Sequence, residues 1–392
     1  GLGTAAGVAI AIAFGGPGAT FWMIVAGFLG MSAKFTEASL AQMYRRVRPD
    51  GRIMGGAMEY LSIGLAEHGA PRTGRTLAIL FALFTILGSF GAGSAFQVSQ
   101  SMGAVQTQIP FFQQVPIAYG LLMALAIGLV IIGGLRRIAH VAEALVPSMV
   151  IIYVGACLWI IAGNAAMVPE ALGKIVLEAF SPIAVAGGMV GALVQGFKRA
   201  AFSSEAGLGS AAIAHSAASV KYPVRQGLVA LYEPFIDTVV ICTITALVIV
   251  ITGVYNAPEY EAIRAASQGA TLTSMAFATV SDWFPALLAL SVVLFAYSTA
   301  ISWSYYGERC WVYVFGERYS ILYKVIFIGF VVIASVASAS NLLDFTDLLV
   351  LSMAFPNLIG LYVLSGKVKS ALAEYEARLA SGELDREALI RK

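Results

Sequence analysis

The chain of 392 residues is 59% hydrophobic and only 12% charged, with a formal net charge of +2 and a mean hydropathy of +0.83. Soluble domains carry about 25% charged residues, so this composition excludes an ordinary soluble domain. Several apolar stretches approach the roughly 20 residues that cross a bilayer as a helix. The sequence therefore predicts an all-α polytopic membrane protein, and its small net charge gives no indication of nucleic-acid binding.

Motifs typical of enzymes and metal sites are missing from the sequence. It has no GxxxxGK[ST] loop for ATP, no HExxH motif and no GxSxG elbow. The three cysteines are far apart and odd in number, which favours neither a disulfide framework nor a zinc site. We therefore predict a protein that is not an enzyme and carries no cofactor.

The chain opens with the glycine-rich stretch GLGTAAG at residues 1–7. Because glycine costs about 1 kcal/mol in a helix interior, this stretch favours a helix start whose free N–H groups face an anion in a protected cavity. Close helix packing through small residues is the alternative. The stretch begins without Met in an already apolar sequence, so we expect a further segment before it.

Counting the opening helix, about ten apolar segments are separated by charged or turn-rich connections. We predict a transmembrane region at residues 1–366 and a charged cytoplasmic tail at 367–392. An amphipathic connection is expected at 170–178 and a longer polar one at 255–279. After the opening helix, the predicted spans are residues 19–43, 77–105, 117–133, 146–162, 182–219 with an interruption, 227–252, 283–307, 321–337 and 342–364.

Lysine and arginine are distributed unequally between the connections. When the tail and the arginine-rich loop at 45–52 are placed inside, only Lys174 and Arg264 fall in loops assigned to the outside. This distribution follows the positive-inside rule. It predicts a multi-pass protein of the plasma (inner) membrane with a cytoplasmic C-terminus.

Glycine-rich interruptions occur in the first span and again five spans later, near residues 203–209. Paired broken helices at corresponding positions of two halves indicate a transporter built from inverted repeats. Ser203 and Ser204 are suited to be N-caps of a new half-helix, with Glu205 in its first turn. We expect Lys198 and Arg199 either to pair with Glu205 or to mark the cytoplasmic boundary.

Polar residues inside the spans are the best guide to function, because burying them in lipid is expensive. Lys34 and Glu37 lie three residues apart on one helix face and should pair with each other. Gln97 belongs to a polar stripe in the third span. Its amide oxygen suits either a ligand ammonium group or an interhelical hydrogen bond.

The eighth span carries adjacent hydroxyls at Ser298 and Thr299, followed one turn later by Trp303. Hydroxyl oxygens are hard ligands that suit a small alkali cation, and the carbonyl of Phe295, if released by local helix distortion, would add a third. Trp303 lies on the same face as Thr299 and can wall a small apolar pocket. The alternative is hydrogen bonding of the hydroxyls to their own helix and a packing role for the Trp.

Several runs of the sequence together resemble the alanine/glycine:cation symporter family, of the amino acid-polyamine-organocation superfamily. The resemblance covers nearly the whole chain to about residue 366. It implies the five-plus-five inverted-repeat fold of the leucine transporter, with discontinuous first and sixth helices, and an N-terminal truncation. The matching runs are GTAAGVAIAIAFGGPG (3–18), GMSAKFTE (30–37), GG (55–56), FSSEAGLG (202–209), IAH (213–215), PVRQG (223–227), FIDT (235–238) and FAYSTAISWSYYGE (295–308).

The resemblance implies sodium-coupled symport of a small neutral amino acid by alternating access, with Na⁺ as the coupling ion. Residues 1–392 alone are then not expected to transport, because half of the first helix would be absent. The implied substrate-binding residues are Gly1, Leu2 and Gly3 through their backbone, Thr4, Gln97 for the amino group, and Phe202, Thr299 and Trp303 for the side chain. The implied sodium ligands are Ser298, Thr299 and the Phe295 carbonyl.

The sequence departs from the family pattern close to the implied substrate. Leu2 replaces a common threonine, Thr4 the usual asparagine and Ser94 another asparagine. These changes affect the choice of substrate more than the fold. Two alternatives stay open: a proton-coupled transporter with Glu205 or Glu37 as proton carrier, and an amino-acid sensor that does not transport.

Overall fold

The apolar segments form helices that pack side by side in a bundle. The structure, a computed structural model, describes residues 1–49, 51–181 and 188–384. A short antiparallel hairpin pairs β1 (Arg46–Val47) with β2 (Ile53–Met54). The main helices are α1 (Gly3–Gly15), α2 (Gly18–Met43), α3 (57–67), α4 (Pro71–Gln106), α5 (Phe111–Gln114), α6 (Pro116–Ile131), α7 (Gly134–Gly163), α8 (Val168–Glu178), α9 (Gly188–Ser204), α10 (Ser210–Ser216), α11 (Pro223–Thr252), α12 (Glu261–Ala265), α13 (Gly269–Ala278), α14 (Phe284–Phe315), α15 (Ser320–Ala334) and α16 (Ala339–Ala380).

Six of these helices, α2, α4, α7, α11, α14 and α16, are long and apolar enough to cross a membrane, and α1 and α6 are shorter apolar helices. The protein is therefore an all-α polytopic membrane protein. Each predicted span overlaps a helix, although residues 182–187, at the expected start of the sixth span, lie outside the described residues.

Several helices are longer than the sequence predicted, including α14, which continues past residue 307 to Phe315. Helix α7 begins at Gly134 rather than near residue 146, because Arg136 and Arg137 lie exposed on its first turns and do not end it. Helix α16 continues without a break past residue 366 to Ala380, so the predicted tail begins as an extension of the last span. The functional division at residue 366 stays a prediction.

The connection at 255–279 is not only a polar loop, because it contains the buried helix α13. Thr273 Oγ1 donates to the Ala5 carbonyl of α1 at 2.9 Å. Gln100 of α4 donates to the Ser267 carbonyl at 2.9 Å and accepts from the Ala270 N–H at 3.1 Å. Part of the polar stripe on α4 therefore forms interhelical hydrogen bonds rather than a binding surface.

Four segments of the described chain are π-helical: Gly3–Gly7 at the start of α1, Tyr60–Gly64 in α3, Ser89–Ala95 in α4 and Phe235–Ile241 in α11. Such segments are rare and occur frequently at functional sites, because the hydrogen-bond ladder is locally widened. The opening glycines are thus helical, and Gly3 allows close packing. A methyl group at Gly3 would lie 2.6 Å from Ser203 Cα.

The expected interruption near 203–209 is present, but a helix ends at Ser203 and Ser204, where the sequence predicted the start of a new one. Ser203 and Ser204 end α9 instead of capping a new helix, and Ser204 Oγ donates back to the Ala200 carbonyl at 3.0 Å. The chain then takes left-handed backbone at Glu205 (φ 57°), followed by glycines in the same region, before α10 starts at Ser210. We refer to residues 205–209 as the helix break.

Candidate functional site

A small cavity of about 60 Å³ lies where α1, α4, α9, α14 and α16 meet beside the helix break. All of the sequence-predicted substrate residues except Thr4 line it. The lining residues are Gly1, Leu2, Gly3, Ala92, Gln97, Phe202, Ser203, Glu205, Thr299, Trp303 and Val350. We refer to this space as the central cavity.

A larger groove of about 560 Å³ runs between α2, α9 and α16. It is lined mainly by alanine, glycine, leucine and serine and carries no charged side chain among its described lining residues. A groove of this composition on an apolar helix surface suits contact with lipid. The central cavity, which combines polar and apolar groups, is the better candidate for a polar ligand.

Backbone and side-chain polar groups meet in the central cavity. The backbone of Gly1, Leu2 and Gly3 lines it together with Gln97. Gln97 Nε2 donates to the Ala92 carbonyl at 2.8 Å, within the π-helical part of α4, whereas Gln97 Oε1 is buried without a partner in the described chain. The cavity thus contains an amide oxygen that is free to accept a hydrogen bond from a ligand.

Glu205 and Trp303 connect the helix break to the central cavity. Glu205 Oε1 accepts from Trp303 Nε1 at 2.8 Å, and Oε2 accepts from Ser210 Oγ at 2.5 Å. Gly93 packs so closely that a methyl group there would lie 2.5 Å from Trp303 Cβ. The indole is therefore fixed from both sides.

The predicted pairing of Lys198 and Arg199 with Glu205 is wrong. Both cations bind Asp347 of α16: Lys198 Nζ lies 2.9 Å from Oδ2, and the fully buried Arg199 donates to Oδ1. Arg199 also lies 5.6 Å from the centroid of the Phe202 ring. Sequence analysis did not single out Asp347, although an acidic residue in an apolar helix signals a buried partner.

The predicted pairing of Lys34 with Glu37 is also wrong. Lys34 Nζ donates to the Ser204 carbonyl at 2.7 Å, and Glu37 Oε1 accepts from the Gly209 N–H at 3.2 Å. The two side chains bind opposite ends of the helix break, because the packing of α2 against α9 and α10 offers each a nearer partner than the other.

Thr4, which does not line the cavity, belongs to an oxygen cluster next to it that sequence analysis missed. Thr4 Oγ1 donates to Asp237 Oδ1 at 2.8 Å, and Oδ2 accepts from Ser203 Oγ at 2.5 Å and Thr238 Oγ1 at 3.1 Å. Asp237 lies in the π-helical segment of α11, and no lysine, arginine or histidine in the described ranges forms an ion pair with it. A carboxylate and hydroxyls from three helices suit a small cation or a proton.

The predicted sodium ligands of α14 are only partly arranged as expected. Ser298 Oγ donates to the Phe295 carbonyl at 3.1 Å and lies 3.6 Å from Met149 Sδ. Helix α14 is α-helical throughout, so the Phe295 carbonyl is not released by a distortion. Thr299 Oγ1 faces the start of α1, because a methyl group at Gly1 would lie 2.6 Å from it.

The model of the sodium:alanine symporter family matches residues 1–388. The chain belongs to this family. Membership in a symporter family implies an amino-acid substrate and a sodium or proton coupling ion.

Relatives of this family member are similar over nearly its whole length. The sodium/alanine symporter AgcS of Methanococcus maripaludis is 40% identical over 94% of this chain and 80% of its own length. An uncharacterized transporter of Haemophilus influenzae is 38% identical over 100% of this chain and 84% of its own length. The probable sodium/glutamine symporter GlnT of Bacillus subtilis is 34% identical over 98% of this chain and 77% of its own length.

Proposed function

We propose that the protein is a sodium-coupled symporter of a small neutral amino acid of the alanine or glycine type. The observation that carries this proposal is the central cavity, which is lined by the backbone of Gly1, Leu2 and Gly3 and by Gln97 with its free Oε1. An amino acid is a zwitterion whose carboxylate suits helix-start N–H groups and whose ammonium suits an amide oxygen. The cavity therefore supplies complementary groups for both charges.

The size of the cavity supports a substrate with a very short side chain. Its volume of about 60 Å³ is far below the roughly 300–1,000 Å³ of sites for drug-sized ligands. Phe202 and Trp303 supply apolar walls that leave little room beyond a methyl group. An alanine-type substrate fits this space better than the glutamine that the name of the Bacillus relative indicates.

Two groups of hard oxygens are candidates for the coupling ion. One is the Asp237 cluster with Thr4 and Ser203, and the other is the predicted set around Ser298 and Thr299 on α14. Ser203 and Thr299 also line the central cavity, so a cation bound at either place would influence the elements that hold the substrate. This shared use of residues supports coupling between ion and amino acid.

The proposed mechanism is alternating access on the leucine-transporter fold in the plasma membrane, with the C-terminus cytoplasmic. The break between α9 and α10, five spans after the opening helix, is the expected second discontinuity of an inverted repeat. The unequal distribution of lysine and arginine supports the orientation.

Uptake of labelled L-alanine into proteoliposomes that contain the full-length protein tests this proposal. We expect accumulation under an inward Na⁺ gradient and none when K⁺ replaces Na⁺. Accumulation that follows an inward proton gradient in K⁺ would instead assign proton coupling. Alanine binding in detergent without accumulation under any gradient would assign a sensor.

A further inference from the structure

We infer that Lys34 and Glu37 are positioning residues, each of which holds one end of the helix break. The inference rests on the proposed function, because it assigns these side chains a role in transport. Neither residue lines the central cavity. Both act on it through the break, which contains Glu205, the partner of Trp303.

Lys34 holds the end of α9. Its side chain is 2% exposed, and its ammonium donates to the Ser204 carbonyl at 2.7 Å and lies 3.3 Å from Glu233 Oε2. The last carbonyls of a helix have no intrahelical donor and need another partner when they are buried. Lys34 supplies this partner at the residue where α9 stops.

Glu37 holds the other end of the break. It is completely buried, and its Oε1 accepts from the Gly209 N–H at 3.2 Å and from Asn357 Nδ2 at 2.7 Å. Asn357 also donates to the Gly207 carbonyl at 2.9 Å, and Tyr60 donates its hydroxyl to Asn357 Oδ1. The Gly209 N–H that precedes α10 is thus held by a carboxylate from α2, and the Gly207 carbonyl is held by an amide from α16 that also binds this carboxylate.

The order of the two charges follows from the order of the groups they bind. A break in a helix leaves carbonyls free where the first half ends and N–H groups free where the second half begins. Lys34 comes first along α2 and meets a carbonyl, whereas Glu37 comes second and meets an N–H. An ordinary ion pair between them would tolerate exchange of the two residues, but this arrangement does not.

The decisive variant is therefore the exchange Lys34→Glu together with Glu37→Lys. We expect the maximal rate of Na⁺-driven alanine uptake to fall about tenfold or more, since three hydrogen bonds to charged groups are lost. The matched control is Lys174→Glu with Glu178→Lys on α8, where a partly exposed pair 3.9 Å apart is exchanged. The maximal rate of alanine uptake by this control variant should stay within about twofold of that of the parent protein, as expected for a surface pair.

A second comparison keeps the inference testable if the exchanged variant does not fold. Glu37→Gln retains an oxygen acceptor for the Gly209 N–H, whereas Glu37→Leu does not. We expect hydrogen–deuterium exchange of residues 205–209 to become faster in Glu37→Leu than in Glu37→Gln, with exchange in α7 unchanged in both.

Two results would overturn the inference: uptake by the exchanged variant within about twofold of the parent protein, or equal exchange at 205–209 in both Glu37 variants. Failure of the proposed function would look different, because the unmodified protein would then show no Na⁺-driven uptake at all.

Discussion

At the scale of single residues, Trp303 sets the size of the central cavity. Its side chain is 4% exposed and is held by Glu205 on one side and Gly93 on the other. A large side chain fixed in this way limits the substrate by volume rather than by hydrogen bonding. One apolar group more or less in such a pocket changes affinity by about 10- to 200-fold.

Trp303→Leu should therefore change which amino acids bind. We expect the affinity for alanine to fall about tenfold and unlabelled valine or glutamine to become a competitor. The measurement is inhibition of labelled alanine uptake by a series of unlabelled amino acids. Trp159→Leu, at a tryptophan of α7 that is 70% exposed, is the control. An unchanged competition series in Trp303→Leu would contradict the role of Trp303 as a wall.

Asp237 supplies the negative charge of one of the two proposed coupling-ion sites. Asp237→Asn keeps the shape of the side chain and an acceptor for Thr4, but it removes the negative charge. We expect the Na⁺ concentration for half-maximal alanine uptake to rise about tenfold or more, because a charged ligand is lost.

The control for Asp237 is Asp344→Asn, at an exposed aspartate of α16. The sodium dependence of this variant should match that of the parent protein. If Asp237→Asn left the sodium dependence unchanged while Thr299→Ala abolished it, the coupling ion would belong to the α14 residues instead.

At the scale of helices, close contact between α1 and α9 depends on Gly3. A methyl group at this position would lie 2.6 Å from Ser203 Cα and 2.9 Å from its Cβ, which are not atoms at the far end of a flexible side chain. Overpacking of this kind costs about 1–3 kcal/mol. The contact also places Ser203 between the central cavity and Asp237.

Gly3→Ala should consequently lower both the melting temperature and alanine uptake. We expect the melting temperature in detergent to fall by several degrees, with a larger proportional loss of uptake, because the displaced helix start lines the cavity. Gly155→Ala in α7, where an added methyl group meets nothing within 4 Å, provides the comparison. Full uptake by Gly3→Ala would show that the two helices separate more easily than their packing indicates.

The positions of the helices could be predicted from the sequence, but the partners of their polar residues could not. The length of an apolar stretch can be read from the sequence alone, and each predicted span overlaps a helix. Partners depend on which helix faces which across the bundle. Asp237 was missed, and Lys34 and Glu37 were paired with each other, because their true partners lie far away in sequence.

The candidate site was partly predictable for a different reason. Resemblance to a family selected Gln97, Phe202 and Trp303, and the structure brings these residues together around one cavity. No resemblance indicated that Glu205 bonds to Trp303 instead of to the neighbouring cations. The left-handed backbone at Glu205 turns its side chain toward α14, and such a conformation is uncommon for a residue other than glycine.

At the scale of the whole molecule, a contact between α3 and α16 joins the first and last parts of the chain. Glu67 of α3 binds Lys367 of α16 and accepts from the Tyr44 hydroxyl at 2.7 Å. Lys367, followed by the Tyr44 hydroxyl, lowers the pKa of the Glu67 carboxyl below its usual value. Both ends of the pair are partly exposed, so its contribution to stability is at most about 1 kcal/mol.

This contact should give the protein a small pH-dependent stability. The pKa of Glu67 is lower in the folded state than in the unfolded state. The contact therefore stabilises the folded protein at a pH above the unfolded-state pKa, and this stabilisation is lost as the pH falls through the folded-state pKa. We expect Glu67→Gln to lower the melting temperature slightly at neutral pH and to match the parent protein in acid. Glu376→Gln, at an exposed glutamate of α16, should have no effect at either pH. A difference in melting temperature between Glu67→Gln and the parent protein that grew in acid would contradict this assignment.

The π-helical segments of α4 and α11 also determine how the length of each helix relates to the site. A π-helical turn holds one residue more than an α-helical turn, and each residue of an α-helix turns the chain by about 100°. Helices α4 and α11, which are α-helical on both sides of the π-helical segment, therefore each contain one extra residue, and it lies beside Ala92 in α4 and beside Asp237 in α11. Deletion of one residue at such a point can reshape the site while both flanks keep their neighbours, whereas the same deletion elsewhere would rotate half a helix out of the bundle.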